Sequence, residues 1–187
     1  FRRVLFRSLH LKVLPETKRV IIKSQDPLGP LPTLNLTCHS GDASSRDYLS
    51  LELHGLNLIG VYWKGSKYWD ILIVNSTLSN SMESEWNSCD HRLAINQSKI
   101  IGKGMKITSA NSMISLTNVL FETDTLLEGF NNQTIQSCQF KNSSLIIEEG
   151  RCFSHFRFIL INNSVFEQDP SSNSSLIQFR KWGEWTS

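Results

Sequence analysis

A six-residue frame returns along this chain at intervals far shorter than a domain. It is seen in Ile73-Val74-Asn75-Ser76-Thr77-Leu78, Leu116-Thr117-Asn118-Val119-Leu120-Phe121, Ile135-Gln136-Ser137-Cys138-Gln139-Phe140 and Ile161-Asn162-Asn163-Ser164-Val165-Phe166, with Ile95-Asn96-Gln97-Ser98-Lys99-Ile100 a looser copy. The shared order is aliphatic, any residue, Asn-like, small, any residue, large apolar. Anchored on Leu78, Ile100, Phe121, Phe140 and Phe166, the steps are 22, 21, 19 and 26 residues, and a more degenerate turn around Leu58 precedes Leu78 by 20. A period of this length with tolerated insertions is the mark of a solenoid, in which each repeat buries its apolar face only against its neighbours.

The repeat unit is built from strands. No segment sustains apolar residues at the i, i+3, i+4, i+7 spacing of a packed helix. The apolar positions alternate over short stretches bounded by Asn, Ser and Gly. The first aliphatic residue of each frame is therefore expected to point inward from one strand. The Asn-like residue takes a bend, where Asn tolerates a left-handed backbone. The small residue and the large one two places later point inward from the next strand. Stacked rungs then place Leu78, Ile100, Phe121, Phe140 and Phe166 in one internal column, with Asn75, Asn118 and Asn163 as an amide ladder at the bend. Leucine-rich repeats share the period, and Leu53, Leu56 and Leu58 have their spacing. That repeat needs Asn after the leucines, whereas here Asn precedes the large apolar residue. A β-sandwich gives no reason for a recurring frame. The expected fold is all-β, a parallel β-helix solenoid with rungs of about 20–25 residues.

The opening octapeptide, FRRVLFRS, back-translates to the end of a common short-read sequencing adapter, so residues 1–8 are set apart from the fold. Residues 9–187 are expected to be a fragment of one β-helix domain, truncated at both ends. Setting aside Arg2, Arg3 and Arg7 moves the formal charge from +2 to −1. The apparent basicity is then no argument for a nucleic-acid partner, which needs clustered positive charge. No apolar stretch approaches the roughly 20 residues of a membrane-spanning helix.

The chain carries 26 Ser and 14 Asn, a composition suited to turns and strand edges. Seven Asn-x-Ser/Thr triplets make Asn35, Asn75, Asn96, Asn132, Asn142, Asn162 and Asn173 glycosylation candidates. An Asn/Ser-rich repeat would produce some of these for packing reasons alone. The four cysteines, Cys38, Cys89, Cys138 and Cys152, are disulfide candidates with three possible full pairings; buried free thiols are the alternative for each. Sequons and an even cysteine count together point to an extracellular or cell-surface protein.

The frame, with Leu56-Asn57-Leu58-Ile59-Gly60-Val61 leading into Trp63-Lys64-Gly65, resembles the right-handed parallel β-helix proteins of the pectate-lyase-like superfamily, over roughly Leu34 to Phe179. Within it the chain looks most like the large non-catalytic extracellular members. Catalytic relatives of the hydrolase type carry Asn-Thr-Asp, paired Asp, Gly-His-Gly and Arg-Ile-Lys. None of these motifs is present, and glycoside hydrolysis needs two positioned carboxylates. Lyases of the superfamily use carboxylate-held calcium with Arg or Lys as base. Glu148-Glu149 with Arg151, or Glu122 with Asp124, offer that chemistry only as charges at turns. The five histidines, His10, His39, His54, His91 and His155, lack metal-ligand spacing, so no metal or cofactor is expected. Tyr62, Trp63, Tyr68 and Trp69, flanked by Lys64 and Lys67, fit either a sugar-stacking surface or core packing. Trp182 and Trp185 invite the same two readings. The resemblance implies a structural or adhesive scaffold binding a protein or glycan on one face. A polysaccharide lyase or hydrolase with incomplete catalytic rungs is the alternative.

Overall fold

In the computed structural model, the structure describes residues 7–13, 17–25, 30–40, 48–64, 68–84, 91–102, 104–149, 158–169 and 176–180. Every regular element among them is a strand: β1 (Arg7–Val13), β2 (Arg19–Lys23), β3 (Thr33–Ser40), β4 (Tyr48–His54), β5 (Asn57–Lys64), β6 (Tyr68–Val74), β7 (Thr77–Leu78), β8 (Met82–Ser84) and β9 (Arg92–Asn96). They continue as β10 (Lys99–Ile100), β11 (Met105–Thr117), β12 (Leu120–Phe121), β13 (Thr125–Gln136), β14 (Gln139–Lys141), β15 (Leu145–Glu148), β16 (Phe158–Asn162), β17 (Val165–Glu167) and β18 (Ile177–Arg180). The chain winds as a parallel β-solenoid of about five turns. The first strand begins inside the opening octapeptide, with Arg7 and Ser8 in register with Leu34 and Asn35.

Each turn visits three parallel sheets in order. Sheet I stacks β2, β4, β6, β9, the end of β11, the end of β13, and β16. Sheet II holds the short strands β7, β10, β12, β14 and β17, preceded by the start of β5. Sheet III stacks β1, β3, the end of β5, β8, the start of β11, the start of β13, β15 and β18.

The interior follows from strand alternation applied turn after turn. On sheet II, Leu58, Leu78, Ile100, Phe121, Phe140 and Phe166 are in consecutive register, the column expected from the frame. The three phenylalanines form a continuous stack, with centroids 4.3 Å apart and planes 9° and 4° from parallel. Sheet I contributes Leu53, Ile73, Ile95, Leu116 and Ile135, all fully buried. Sheet III contributes Leu36, Val61, Met82, Ile107, Leu127 and Ile147. Burying a side chain of this kind contributes about 1.5–3 kcal/mol.

The corner between sheets I and II gives the frame its spelling. Gly55, Asn75, Gln97, Asn118, Ser137 and Asn163 all have φ between 49° and 63°, the left-handed region. The bend expected at Asn75, Asn118 and Asn163 is there, and it recurs at Gly55, Gln97 and Ser137. The amide ladder is not. Gln97 interrupts it between Asn75 and Asn118, Ser137 between Asn118 and Asn163, and the exposed Asn amides make no hydrogen bond to one another among the described residues. Ladder bonding passes instead to the next, inward position. Ser76 Oγ accepts the Leu56 N–H (3.1 Å) and donates to the Val74 carbonyl (2.9 Å). Ser98 Oγ likewise accepts the Ser76 N–H (3.2 Å) and donates to Asn96 (2.7 Å). Ser164 Oγ accepts the Cys138 N–H (3.2 Å) and donates to Asn162 (3.1 Å).

Candidate functional site

The outward face of sheet III concentrates charge. Its register runs Tyr62, Glu83, Thr108, Glu128, Glu148, Arg180, one residue per turn. Neighbouring strands lie about 4.8 Å apart, so Glu128 and Glu148 stand as adjacent carboxylates. Lys106 Nζ reaches Glu128 Oε2 at 2.8 Å, and Glu128 is only 5% exposed. Thr108, also buried, leaves Oγ1 without a hydrogen-bond partner. The chain thus brings Glu148 opposite Glu128, a partnership that the sequence does not reveal because the residues are 20 apart and the turns are unequal in length. Arg151 lies outside the described residues. The other acidic candidates are engaged locally. Glu122 pairs with Lys99 at 2.7 Å, and Asp124 Oδ1 accepts the Ser144 N–H at 2.7 Å. Among the described residues no three His, Cys, Asp or Glu side chains gather to hold a metal ion.

The outward face of sheet I is different in kind. From β9 to β16 its outward positions include Ser115, Thr117, Asn132, Thr134 and Gln136, and Arg92 is the one charged residue there. Interrupting this polar surface are Met113, Phe158 and Leu160, all exposed. At the I–II corner, Asn75, Gln97 and Asn118 line an open groove of about 510 Å³ with Thr77 and Lys99.

Sequon asparagines Asn35, Asn75, Asn96, Asn132, Asn142 and Asn162 are all exposed or half-buried, and none belongs to the core. Asn173 lies outside the described residues. Several of the triplets are accounted for by packing. Ser98 and Ser164 are ladder residues, which makes the triplets of Asn96 and Asn162 by-products of the corner. Asn142 Oδ1 accepts the Asp169 N–H at 2.9 Å.

Cys38 and Cys138 are buried free thiols, which corrects the disulfide expectation for these two. Cys38 sits in the sheet III core between Leu11 and Trp63 in register, and burial pushes its thiol pKa up to about 12. Cys138 takes the place of a ladder serine, its Sγ against the Gln136 (3.4 Å) and Leu116 (3.5 Å) carbonyls. Burial raises its pKa, opposed by hydrogen bonds with the Val119 and Gln136 backbone. Cys89 and Cys152 lie outside the described residues.

Of the aromatic cluster, Trp63 and Trp69 are fully buried, so the packing reading holds for them; Tyr62 and Tyr68 are half-buried. Trp182 and Trp185 are not among the described residues. His91, 1% exposed, accepts the Trp69 N–H through Nδ1 at 3.1 Å and meets the Trp63 ring edge-on at 6.4 Å. Burial lowers its pKa to about 4. Nearby strand ends add further buried polar groups at the III–I corner: Ser109 and Ser112 share a 2.6 Å hydrogen bond, and Gln133 replaces an aliphatic residue between Ile114 and Ile159. Neither their polarity nor their burial was foreshadowed by the repeat.

No protein-family model, no curated protein and no solved structure matches the chain. No helix among the described residues is long and apolar enough to cross a membrane.

Proposed function

We propose that this chain is a segment of an extracellular, non-catalytic, right-handed β-helix that presents a flat binding surface to a protein or glycan. The observation that carries the reading is the outer face of sheet I, where four successive strands present a nearly uncharged surface rich in Ser, Thr, Asn and Gln. Such a surface offers many hydrogen-bonding groups at fixed rung spacing on a backbone held by ladder bonds, so little order has to be imposed on binding. The outward placement of six sequon asparagines supports an extracellular address, since buried acceptors would exclude attached glycans. Right-handedness is supported by the strong chiral preference of parallel crossover connections. Two free buried thiols withdraw half of the cysteine argument, and the address rests on the sequons.

A second reading, a polysaccharide-cleaving enzyme, is favoured by the Glu128–Glu148 pair beside Lys106 and Arg180. Against it, Glu128 is closed off from solvent and held by Lys106. An ion pair of this sort is costly to break and suits a structural role. The deciding experiment incubates the purified chain with acidic and neutral polysaccharides, following unsaturated products, reducing ends and retention on immobilised glycans. Binding without cleavage, unaffected by Glu148→Gln, is expected. Turnover abolished by Glu148→Gln would replace this reading with the enzyme.

A further inference from the structure

On sheet I, the strand β13 presents Asn132 and Thr134 outward, two residues apart on the same face. In register with Asn132 stand Met113 on one side and Phe158 on the other, and Leu160 is in register with Thr134. These three side chains are 46%, 53% and 42% exposed, and the other outward residues on the ends of β11 and β13 and on β16 are polar. Large apolar side chains gathered on a soluble surface mark something that covers them. Unlike Ser98 and Ser164, Thr134 serves no corner ladder. Unlike Asn142, Asn132 accepts no backbone N–H, and neither side chain makes a hydrogen bond among the described residues. The triplet therefore has no packing explanation, and it lies in the middle of the apolar patch.

We propose that Asn132 carries an N-linked glycan whose first sugar lies across Met113 and Phe158, so that the occupant of the patch is carbohydrate attached at its centre. A pyranose ring spans about one strand spacing, and its C–H face offers apolar surface to the Phe158 ring and the Met113 thioether. In the attachment step, Asn132 Nδ2 forms a C–N bond with the anomeric carbon of a lipid-pyrophosphate-linked oligosaccharide. The bond from that carbon to the pyrophosphate oxygen breaks, the lipid pyrophosphate leaves with the electron pair, and one Nδ2 proton passes to a base of the transferase. The proposal rests on the extracellular reading above; the glycan would stand on the β11–β16 part of the sheet I face, so the binding surface proposed there is limited to what the glycan leaves uncovered.

The test uses the full chain secreted from a eukaryotic host. Glycopeptide mass spectrometry gives occupancy at each sequon. Enzymatic deglycosylation of the folded protein is followed by hydrophobic-dye fluorescence and Tm. Expected are majority occupancy at Asn132, a dye signal at least about doubled on deglycosylation, and a Tm lowered by about 2–4 °C, the shift that one kcal/mol produces in a chain of this size. In Asn132→Gln these deglycosylation effects vanish, whereas in Asn35→Gln they persist. An empty Asn132 beside occupied sequons elsewhere overturns this proposal alone. Occupancy at none overturns the extracellular reading with it. An occupied Asn132 whose removal changes neither dye signal nor Tm refutes the packing of sugar on Phe158.

Discussion

Two corners of the coil obey different rules. From Gly55 to Asn163 the I–II corner repeats one arrangement: one residue with positive φ, then a buried or half-buried residue, then a short strand, or in β5 the start of a longer one, whose inward side chain joins the column. At the III–I corner no two turns need agree. β11 and β13 run through it as single strands of 13 and 12 residues, with the register shifting between Thr108 and Ser112, whereas β8 and β9 are joined by residues 85–91 and β15 and β16 by residues 149–157. One corner is dictated by backbone geometry and ladder bonding. The other is where the fold admits insertions, and where His91, Ser109, Ser112 and Gln133 are buried outside any repeat. Loop length costs little entropy, so only the first corner constrains sequence.

The largest effect should come from the apolar column that the first corner sets up. Phe140 is fully buried with a ring stacked on each side, so Phe140→Ala is expected to lower stability by about 3–5 kcal/mol in urea unfolding. Phe166→Ala, half-buried at the end of the stack, should cost clearly less. Equal losses would mean that the rings do not stack.

At the second corner the sensitive group is His91. Its folded pKa of about 4 lies below the ordinary value of 6.5, so the unfolded chain binds the proton more readily. The neutral ring's stabilisation is complete above about pH 6.5, is lost as pH falls, and is fully gone below about pH 4, a change of about 3 kcal/mol. Urea unfolding between pH 7 and 4 should show this slope, and His91→Gln should flatten it. An unchanged slope in the variant would place the titration elsewhere.

Smaller effects separate the two layers of the first corner. Ser98→Ala removes the acceptor for the Ser76 N–H and is expected to cost about 1–3 kcal/mol. Asn118→Val forces a β-branched residue into the left-handed region, for about 1–2 kcal/mol, while Asn118→Gly should be close to neutral or stabilising. If Val and Gly were tolerated equally at 118, positive φ would not be what selects Asn there.

This contrast also explains what could be read from the chain beforehand. The column from Leu58 to Phe166, the left-handed bend at Asn75, Asn118 and Asn163, and the inward small residue are local requirements repeated each turn, so they leave a pattern. The corner asparagines form no amide ladder because Asn is selected there for its backbone conformation, which Gln97 and Ser137 also adopt. Cys138 is a disulfide candidate on sequence alone because its place, the one Ser76 and Ser98 hold in their turns, shows only once the rungs are stacked. The Glu128–Glu148 pair and the patch around Asn132 depend on register across turns of unequal length. The irregular corner sets that register and leaves no repeat to read.

In-register stacking is the claim on which all of this depends, and paired cysteines test it directly. Thr117 and Gln136 face outward as register partners, with Cα atoms at a separation a disulfide can bridge. Under mild oxidation Thr117→Cys with Gln136→Cys should cross-link nearly completely, as peptide mapping would show, while Thr117→Cys with Thr134→Cys, offset by two residues, should not. Cross-linking of the offset pair in preference to the aligned one would contradict the stacked coil.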